Sequence, residues 1–298
     1  METKFAKDML TMMQLKANLE ACILGKAAEI ELLLTAVLAG GHVLLEDVPG
    51  TGKTVLIKAL ARSVKGEFRR IQCNPDLLPT DITGVSIYHP KLEAFVFRQG
   101  PVFTHILLVD EINRASTKTQ SALFEAMEEH HVTVDGESHE LPEAQLDRFM
   151  LKLSLGYPDR EAEKMILSTH TTNHPVSRLE PVLDMEGLQD IQKRVSQIYV
   201  DEAIADYVVD LSRETREHTA VFLGASPRAT IALLQAAKAL AYLRSRTYVT
   251  PDDVKYLVPY VFGHRLILQP EARMDGGALD ALFQSIFQRV PVPVRVER

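Results

Sequence analysis

The fold is decided by the stretch Gly41-His-Val-Leu-Leu-Glu-Asp-Val-Pro-Gly-Thr-Gly-Lys-Thr54. Its apolar run Val43–Leu45 predicts a short buried strand, and after a turn rich in Gly and Pro a helix is expected to begin at Lys53. This order is the layout of a P-loop, in which backbone N–H groups and the positive end of a helix dipole bind a phosphate chain. Lys53 is expected to reach the β- and γ-phosphates, and the Thr54 hydroxyl to bind Mg²⁺.

One position departs from the generic P-loop pattern G-x-x-x-x-G-K-T, because Asp47 stands where the first glycine is usual. The other signature residues are present, so the segment is still predicted to bind nucleotide phosphates. The alternative is a Gly-rich turn whose lysine is only solvated. The residues expected to line the phosphate site are Asp47, Pro49, Gly50, Thr51, Gly52, Lys53, Thr54 and Val55.

Composition limits the class of protein. The chain has 298 residues, of which 46 % are hydrophobic and 24 % charged, and this suits one large or two ordinary globular domains. A net charge of -7 argues against a nucleic-acid partner, which normally requires a basic surface. Two cysteines in unrelated contexts and the lack of a long apolar run predict a cytoplasmic protein with no membrane span.

A second motif follows the apolar run Ile106–Val109, which predicts a buried parallel strand. Asp110 and Glu111 come directly after it, at the carboxyl end of a strand, where open α/β sheets bind ligands. Asp110 is expected to hold Mg²⁺ through water, and Glu111 to orient and deprotonate an attacking water. Together with the P-loop, these carboxylates predict a site that hydrolyses a phosphate bond.

The pattern of predicted secondary structure divides the chain into an α/β core, residues 1–157, and an all-helical domain, residues 158–298. The helical part is predicted to contain helices at 186–196, 201–218, 227–245, 251–258 and 276–288. Ser226 and Thr250 are predicted helix N-caps, each followed by a proline. Two β-hairpins are predicted in the core, one over 85–98 and one beginning at His131 with its turn at Asp135-Gly136.

These stretches together resemble the MoxR family of AAA+ ATPases over nearly the whole chain. The segments that carry the resemblance are Gly41–Thr54, Leu77-Leu-Pro-Thr-Asp-Ile-Thr-Gly84, Asp110-Glu-Ile-Asn-Arg-Ala-Ser116, Thr119-Gln-Ser-Ala-Leu123, Glu125-Ala-Met-Glu-Glu129, Leu141-Pro-Glu-Ala-Gln-Leu-Asp-Arg-Phe149, Leu155-Gly-Tyr-Pro158 and Ser226-Pro-Arg-Ala229. Asp47 is a usual residue in this family. The resemblance implies an α/β fold, a P-loop AAA+ core with a parallel sheet, and an all-helical lid domain.

The resemblance also implies a ring of identical subunits, a hexamer, with ATP and Mg²⁺ held between neighbours. Arg228 is similar to the sensor-2 arginine, which reaches the γ-phosphate from the lid, and Arg148 to the arginine finger, which acts on a neighbour's ATP. Gly25, with Ile23 and Leu24, matches the segment beside the adenine. The hairpins are similar to inserts that face the ring pore, and client proteins with von Willebrand factor A domains are implied.

Three of these assignments have plainer alternatives. The apolar side chains of Ile23 and Leu24 could belong to the core instead of contacting adenine. Arg148 could pair with Asp147 or Glu143 on its own segment. Arg228 could be an exposed arginine in the first turn of a helix, where the dipole disfavours a cation unless an anion lies opposite.

The chain departs from the family between Asp135-Gly136 and Leu141-Pro142, where the family has a further strand that carries the sensor-1 residue. That strand would lie inside the sheet beside the P-loop strand, so the sheet is expected to be one strand short. The P-loop strand and the Asp110 strand could then pair directly. Three functions stay open: an ATP-hydrolysing chaperone-like protein, a non-hydrolysing nucleotide-binding scaffold, and a DNA-directed motor, which the acidic charge disfavours.

Overall fold

The computed structural model describes residues 2–48, 50–129, 147–169, 175–272 and 277–293. The chain opens with two helices, α1 (Glu2–Cys22) and α2 (Ala27–Leu38), joined through Gly25 in the left-handed conformation at φ +75°. The spacing of apolar residues predicts a helix over residues 7–24, and α1 begins earlier than that. The P-loop strand β1 (Val43–Leu45) and helix α3 (Lys53–Ser63) follow as predicted.

Among the residues that the structure describes, four parallel strands form two separate pairs. Strand β1 pairs with β6 (Leu151–Leu153), so that Val43 lies opposite Leu151. Strand β2 (Phe68–Gln72) pairs with β5 (Ile106–Asp110), so that Gln72 lies opposite Asp110. Within the described part of the chain, no backbone ladder joins β1 to β5.

The direct pairing of the P-loop strand with the Asp110 strand, considered from the sequence, is therefore not found. Helix α3 packs against both α1 and β5. Closing the two strand pairs into one sheet would require these packed helices to move.

Between β2 and β5 lie a short helix and a hairpin. Helix α4 (Pro79–Thr83) occupies a segment that the prolines predicted to be a loop; Pro79 instead takes the first helical position, where its missing N–H costs nothing. The predicted hairpin is confirmed as β3 (Gly84–His89) and β4 (Ala94–Gln99) in antiparallel register. The second predicted hairpin, from His131, lies outside the described residues.

Helix α5 (Thr117–Glu129) follows β5 in the core, and the described residues of the C-terminal part form six longer helices. These are α6 (Arg160–Thr169), α7 (Met185–Ser196), α8 (Glu202–Glu217), α9 (Pro227–Leu243), α10 (Pro251–Phe262) and α11 (Ala278–Arg289). The lid is not all-helical, because the short strands β7 (Val221–Leu223) and β8 (Ile267–Leu268) pair antiparallel. Helix α10 also continues past Pro259, where a stop was predicted.

One apolar core runs through both parts of the molecule. Helix α2 packs against α9, and Leu34 of α2 and Leu233 of α9 are fully buried in the same cluster as Leu60 of α3. The N-terminal helices thus connect the P-loop helix to the lid. Among the residues that the structure describes, no helix has the length and apolar character needed to cross a membrane.

Candidate nucleotide site

The P-loop is built by two glycines in the left-handed region. Gly50 has φ +89° and Gly52 has φ +92°, conformations that a side chain at Cβ makes unfavourable. Gly52 is the N-cap of α3 and offers no side-chain cap. Because the first turn of a helix leaves its N–H groups without intrahelical partners, the start of α3 provides donors for an anion. Pro49, predicted to line this site, lies outside the described residues.

Lys53 and Thr51 fold back onto the loop itself. Lys53 Nζ donates hydrogen bonds to the carbonyl oxygens of Asp47 at 3.0 Å and Val48 at 3.3 Å, and Thr51 Oγ1 donates to Val48 O at 3.3 Å. Val55 packs against the main core. The Lys53 side chain is thus bound to the carbonyl oxygens of the loop, on the part of the chain that a phosphate would approach.

Asp47 connects the P-loop to the end of β6. Its carboxylate accepts hydrogen bonds from the backbone N–H of Leu155 at 2.6 Å and of Gly156 at 3.0 Å. Gly156 adopts φ +61° just before the chain enters α6. The residue that departs from the generic P-loop pattern therefore has a structural role at the passage from core to lid.

The segment around Gly25 lies beside the P-loop. A Cβ atom placed on Gly52 would lie 3.2 Å from Cδ1 of Ile23, so Ile23 contacts the loop closely. A Cβ atom on Gly25 would lie 3.2 Å from Cβ of Ala162 on α6. This arrangement brings the start of the lid, the Gly25 turn and the P-loop together.

Asp110, the predicted Mg²⁺ ligand, is the last residue of strand β5, against which α3 packs, and Glu111, the predicted base, follows it directly. Asp110 Oδ2 accepts a hydrogen bond of 2.5 Å from Nε of Arg70 on β2. Glu111 has φ +55°, and its carboxylate lies 3.2 Å from Nε of Arg114. A left-handed backbone at a non-glycine residue is strained, and such strain is common at functional sites.

Sequence reasoning missed two neighbours of these carboxylates, Arg70 and Cys73. Cys73 is buried, and burial, with smaller contributions from Asp110 and Glu111, raises its pKa to about 11, so the thiol stays protonated. The sequence offers one indication for Arg70, which is that a charged residue lies within the predicted strand 68–72.

Of the two predicted arginines, Arg148 lies in the core just before β6 and Arg228 lies in the lid. The guanidinium of Arg148 lies 5.6 Å from the centre of the Phe124 ring, in a cation–π contact. Arg228 is in the first turn of α9, whose N-cap Ser226 accepts a hydrogen bond from the N–H of Ala229 at 3.1 Å.

Arg265, which no sequence motif indicated, lies near enough to Arg228 for their charges to interact. Burial lowers the pKa of Arg265 to about 10; the Asp147 carboxylate opposes this decrease and Arg228 adds to it.

Among the described residues, no group of three or more His, Cys, Asp and Glu side chains is placed to hold a metal ion alone. Mg²⁺ in nucleotide sites typically uses one or two carboxylates together with substrate phosphates. The oxygen ligands that Thr54 and Asp110 offer suit this cation.

Comparison with known proteins identifies the family. The ATPase family associated with various cellular activities (AAA) matches residues 42–145, and the AAA lid domain matches residues 213–286. YeaC of Bacillus subtilis is 46 % identical over 93 % of both chains. That alignment spans 299 positions, more than this chain of 298 residues contains, so YeaC has residues that this chain lacks.

Two further relatives carry more informative descriptions. Chaperone MoxR1 of Mycobacterium tuberculosis is 38 % identical over 91 % of this chain and 79 % of its own. A crystal structure described as a candidate ATPase from Cytophaga hutchinsonii is 31 % identical, covers 98 % of both chains and has a TM-score of 0.88. The chain therefore belongs to the MoxR family of AAA+ ATPases.

Proposed function

We propose that this protein binds ATP with Mg²⁺, hydrolyses it to ADP and phosphate within a ring of its own copies, and thereby remodels partner proteins or helps them mature. The observation that carries the proposal is the P-loop, in which Gly50 and Gly52 hold left-handed conformations directly before the start of α3 at Lys53. A Gly-rich turn that leads into a helix N-terminus presents backbone N–H groups to a phosphate chain.

The residues present fit ATP and Mg²⁺. The backbone at Gly50 has nothing within 4 Å of the position of a Cβ, so the loop leaves room for a phosphate to approach the main chain. Thr54 and Asp110 would hold Mg²⁺, which screens the phosphate charges. For this, Asp110 must exchange its hydrogen bond with Arg70 for the metal, and Lys53 must turn from the carbonyls of Asp47 and Val48 toward the phosphates.

The remaining site residues act on the reaction. Glu111 would accept a proton from the attacking water, and its half-exposed side chain is accessible to solvent. Arg228 would stabilise the charge that develops on the γ-phosphate from the same subunit, and Arg148 would do so from a neighbour. An arginine finger contributes on the order of 10³–10⁵ in rate, so the ring is needed for turnover.

The proposed partners are copies of this chain, as a hexamer, and client proteins, including those with von Willebrand factor A domains. Support comes from the relative named a chaperone and from the β3–β4 hairpin. Large apolar side chains on both faces of this hairpin are exposed, among them Val85, Ile87, Phe95 and Phe97. A two-stranded ribbon is only marginally stable alone, so these faces suit contacts with another chain.

Steady-state phosphate release tests the proposal. The protein and its Glu111→Gln variant are compared over a range of protein concentrations with ATP and Mg²⁺. We expect specific activity to rise with concentration in the unsubstituted protein and to be lost in the variant, because the neighbour's Arg148 completes each site. Equal phosphate release by the two proteins at every concentration would contradict hydrolysis.

A second candidate is a nucleotide-binding scaffold that does not hydrolyse ATP. It is favoured by one observation: among the described residues, no strand bridges β1 and β5, where the sensor-1 strand of the family would lie. Binding of a fluorescent ATP analogue without turnover above the Glu111→Gln level would support this candidate.

A further inference from the structure

The carboxylate of Asp147 binds two parts of the lid at once. Oδ2 accepts a hydrogen bond of 2.8 Å from the hydroxyl of Ser226, the N-cap of α9. Oδ1 forms an ion pair of 2.8 Å with Nε of Arg265, which follows the end of α10. Asp147, which directly precedes Arg148, is therefore linked both to the start of α9 and to the chain just past the end of α10.

The lid also holds the backbone on both sides of Arg148. The side chain of Arg265 is only 3 % exposed, and its Nη2 donates hydrogen bonds to the carbonyl oxygens of Asp147 at 3.0 Å and Phe149 at 2.8 Å. His264 Nε2 lies 2.9 Å from the same Phe149 oxygen and donates to it, because a carbonyl only accepts. The position of Arg148 is thus fixed by the lid as well as by β6.

Arg228 lies beside this network. It lies two residues after Ser226 in the first turn of α9, and it is close enough to Arg265 to add to the decrease in that side chain's pKa. The Asp147 carboxylate consequently lies between two arginines of the proposed function. Arg228 acts on the subunit's own nucleotide, and Arg148 acts on the neighbour's. When an anion attracts Arg228, the force acts on the start of α9, which Asp147 binds through Ser226.

We propose that Asp147 is a positioning residue that couples Arg228 to Arg148. A nucleotide phosphate bound at Arg228 changes the position of the Ser226 cap, and Asp147 transmits this change to the backbone that carries Arg148. The state of a subunit's own site then sets the placement of the arginine that it offers to its neighbour. The inference rests on the proposed function and adds a direction of communication around the ring.

Hydrogen–deuterium exchange of the full chain, with and without AMP-PNP and Mg²⁺, tests the coupling. Two peptides are followed, one covering residues 43–56 of the P-loop and one covering residues 147–155. In the unsubstituted protein we expect the analogue to slow exchange in both peptides. In Asp147→Asn and in Ser226→Gly we expect slower exchange in the P-loop peptide only.

The two variants remove the coupling in different ways. Asp147→Asn removes the charge opposite Arg265, whereas Ser226→Gly keeps that ion pair and leaves glycine, a tolerated residue, at the N-cap. If Asp147→Asn does not fold, Ser226→Gly alone decides the test. Thr250→Gly is the matched control, because Thr250 caps α10 and binds Asp253 instead; we expect it to keep the response in both peptides.

Each result has one meaning. A nucleotide response at residues 147–155 that persists in Ser226→Gly, or that is lost equally in Thr250→Gly, would overturn the coupling. If AMP-PNP leaves the P-loop peptide of the unsubstituted protein unchanged, nucleotide binding itself fails, and the coupling that rests on it fails with it. The P-loop peptide therefore separates failure of the proposed function from failure of the inference alone.

Discussion

Asp47 illustrates how a single residue combines a local and a long-range role. Its carbonyl oxygen accepts a hydrogen bond from Lys53 within the P-loop, while its carboxylate binds the N–H groups of Leu155 and Gly156 at the end of β6. A glycine at this position would preserve the first contact and lose the second. An acidic residue is thus explained at this position, because its carboxylate binds the P-loop to the segment that connects β6 with the lid.

We expect Asp47→Gly, which restores the generic P-loop pattern, to lower the free energy of unfolding by about 2–4 kcal/mol, because two backbone donors lose a charged acceptor. Urea unfolding measures the change. The control is Glu46→Gly, since Glu46 is an exposed carboxylate whose contact with Lys152 contributes about 1 kcal/mol or less. Equal losses in the two variants would contradict the role given to Asp47.

His264 makes stability depend on pH. Burial, with a smaller contribution from Arg265, lowers its pKa to about 4, so the folded protein keeps the ring neutral while the unfolded chain binds a proton below about 6.5. Since the unfolded state binds more protons in this window, stability falls as pH decreases from 6.5 toward 4. Below that range both states are protonated and the effect of this group no longer grows.

We expect the free energy of unfolding to decrease by about 2 kcal/mol between pH 7.5 and pH 5 through His264 alone. Denaturant unfolding at the two pH values measures this difference in the unsubstituted protein and in His264→Gln, whose amide can still donate to the Phe149 carbonyl. The variant should lose most of that pH dependence. An identical decrease in both proteins would assign it to other groups.

At the scale of an element, the start of helix α10 is the best-defined capping site of the lid. Asp253 is 1 % exposed and accepts a bidentate pair of hydrogen bonds from Arg246, at 2.6 Å and 2.5 Å. It also accepts a bond of 2.9 Å from the N–H of Thr250. Burial alone would raise the pKa of Asp253, but the hydrogen bonds from Arg246 and Thr250 keep it below its ordinary value.

Asp253→Ala should lower the free energy of unfolding by about 3–5 kcal/mol, because it leaves Arg246 partly buried without its partner and removes half of a capping box. The adjacent Asp252→Ala is the matched control, since Asp252 lies in the same first turn but is exposed. Its expected cost is about 0.3–1 kcal/mol, from the helix dipole. Urea unfolding of both variants checks the difference, and similar costs would show that the buried pair adds little.

Elements whose signals are local could be predicted from the sequence. The P-loop follows from glycines that take left-handed conformations, and the caps at Ser226 and Thr250 from side chains that bind N–H groups three residues later. Strands β7 and β8 were missed because they are too short to show a period. The contact of Asp147 with Arg265 joins residues 118 positions apart, which no local pattern specifies.

The same limit applies to the candidate site. The identities of Lys53, Asp110 and Glu111 could be read from motifs, but the hydrogen bond between Arg70 and Asp110 depends on the register of β2 against β5. The separation of β1 from β5 likewise results from how two strand pairs pack on shared helices. The sequence therefore predicts which chemical groups form the site better than it predicts the hydrogen-bond partners that those groups have in the structure.

At the scale of the whole molecule, the proposed function divides each active site between two subunits. In that proposal, Glu111 belongs to the subunit that binds the nucleotide, and Arg148 acts on a neighbour. A ring of identical chains has heterologous interfaces, so every subunit both offers and receives an arginine. Variants defective in one role are consequently expected to support each other when they are mixed.

Neither Arg148→Ala nor Glu111→Gln alone should release phosphate. When the two are mixed in equal amounts before ATP is added, about a quarter of the interfaces join an intact Glu111 to an intact Arg148. A phosphate-release assay should then recover a corresponding part of the unsubstituted activity, because each productive site takes its carboxylate and its arginine from different chains. If no mixing ratio restores turnover while both variants still assemble, Arg148 does not act between subunits.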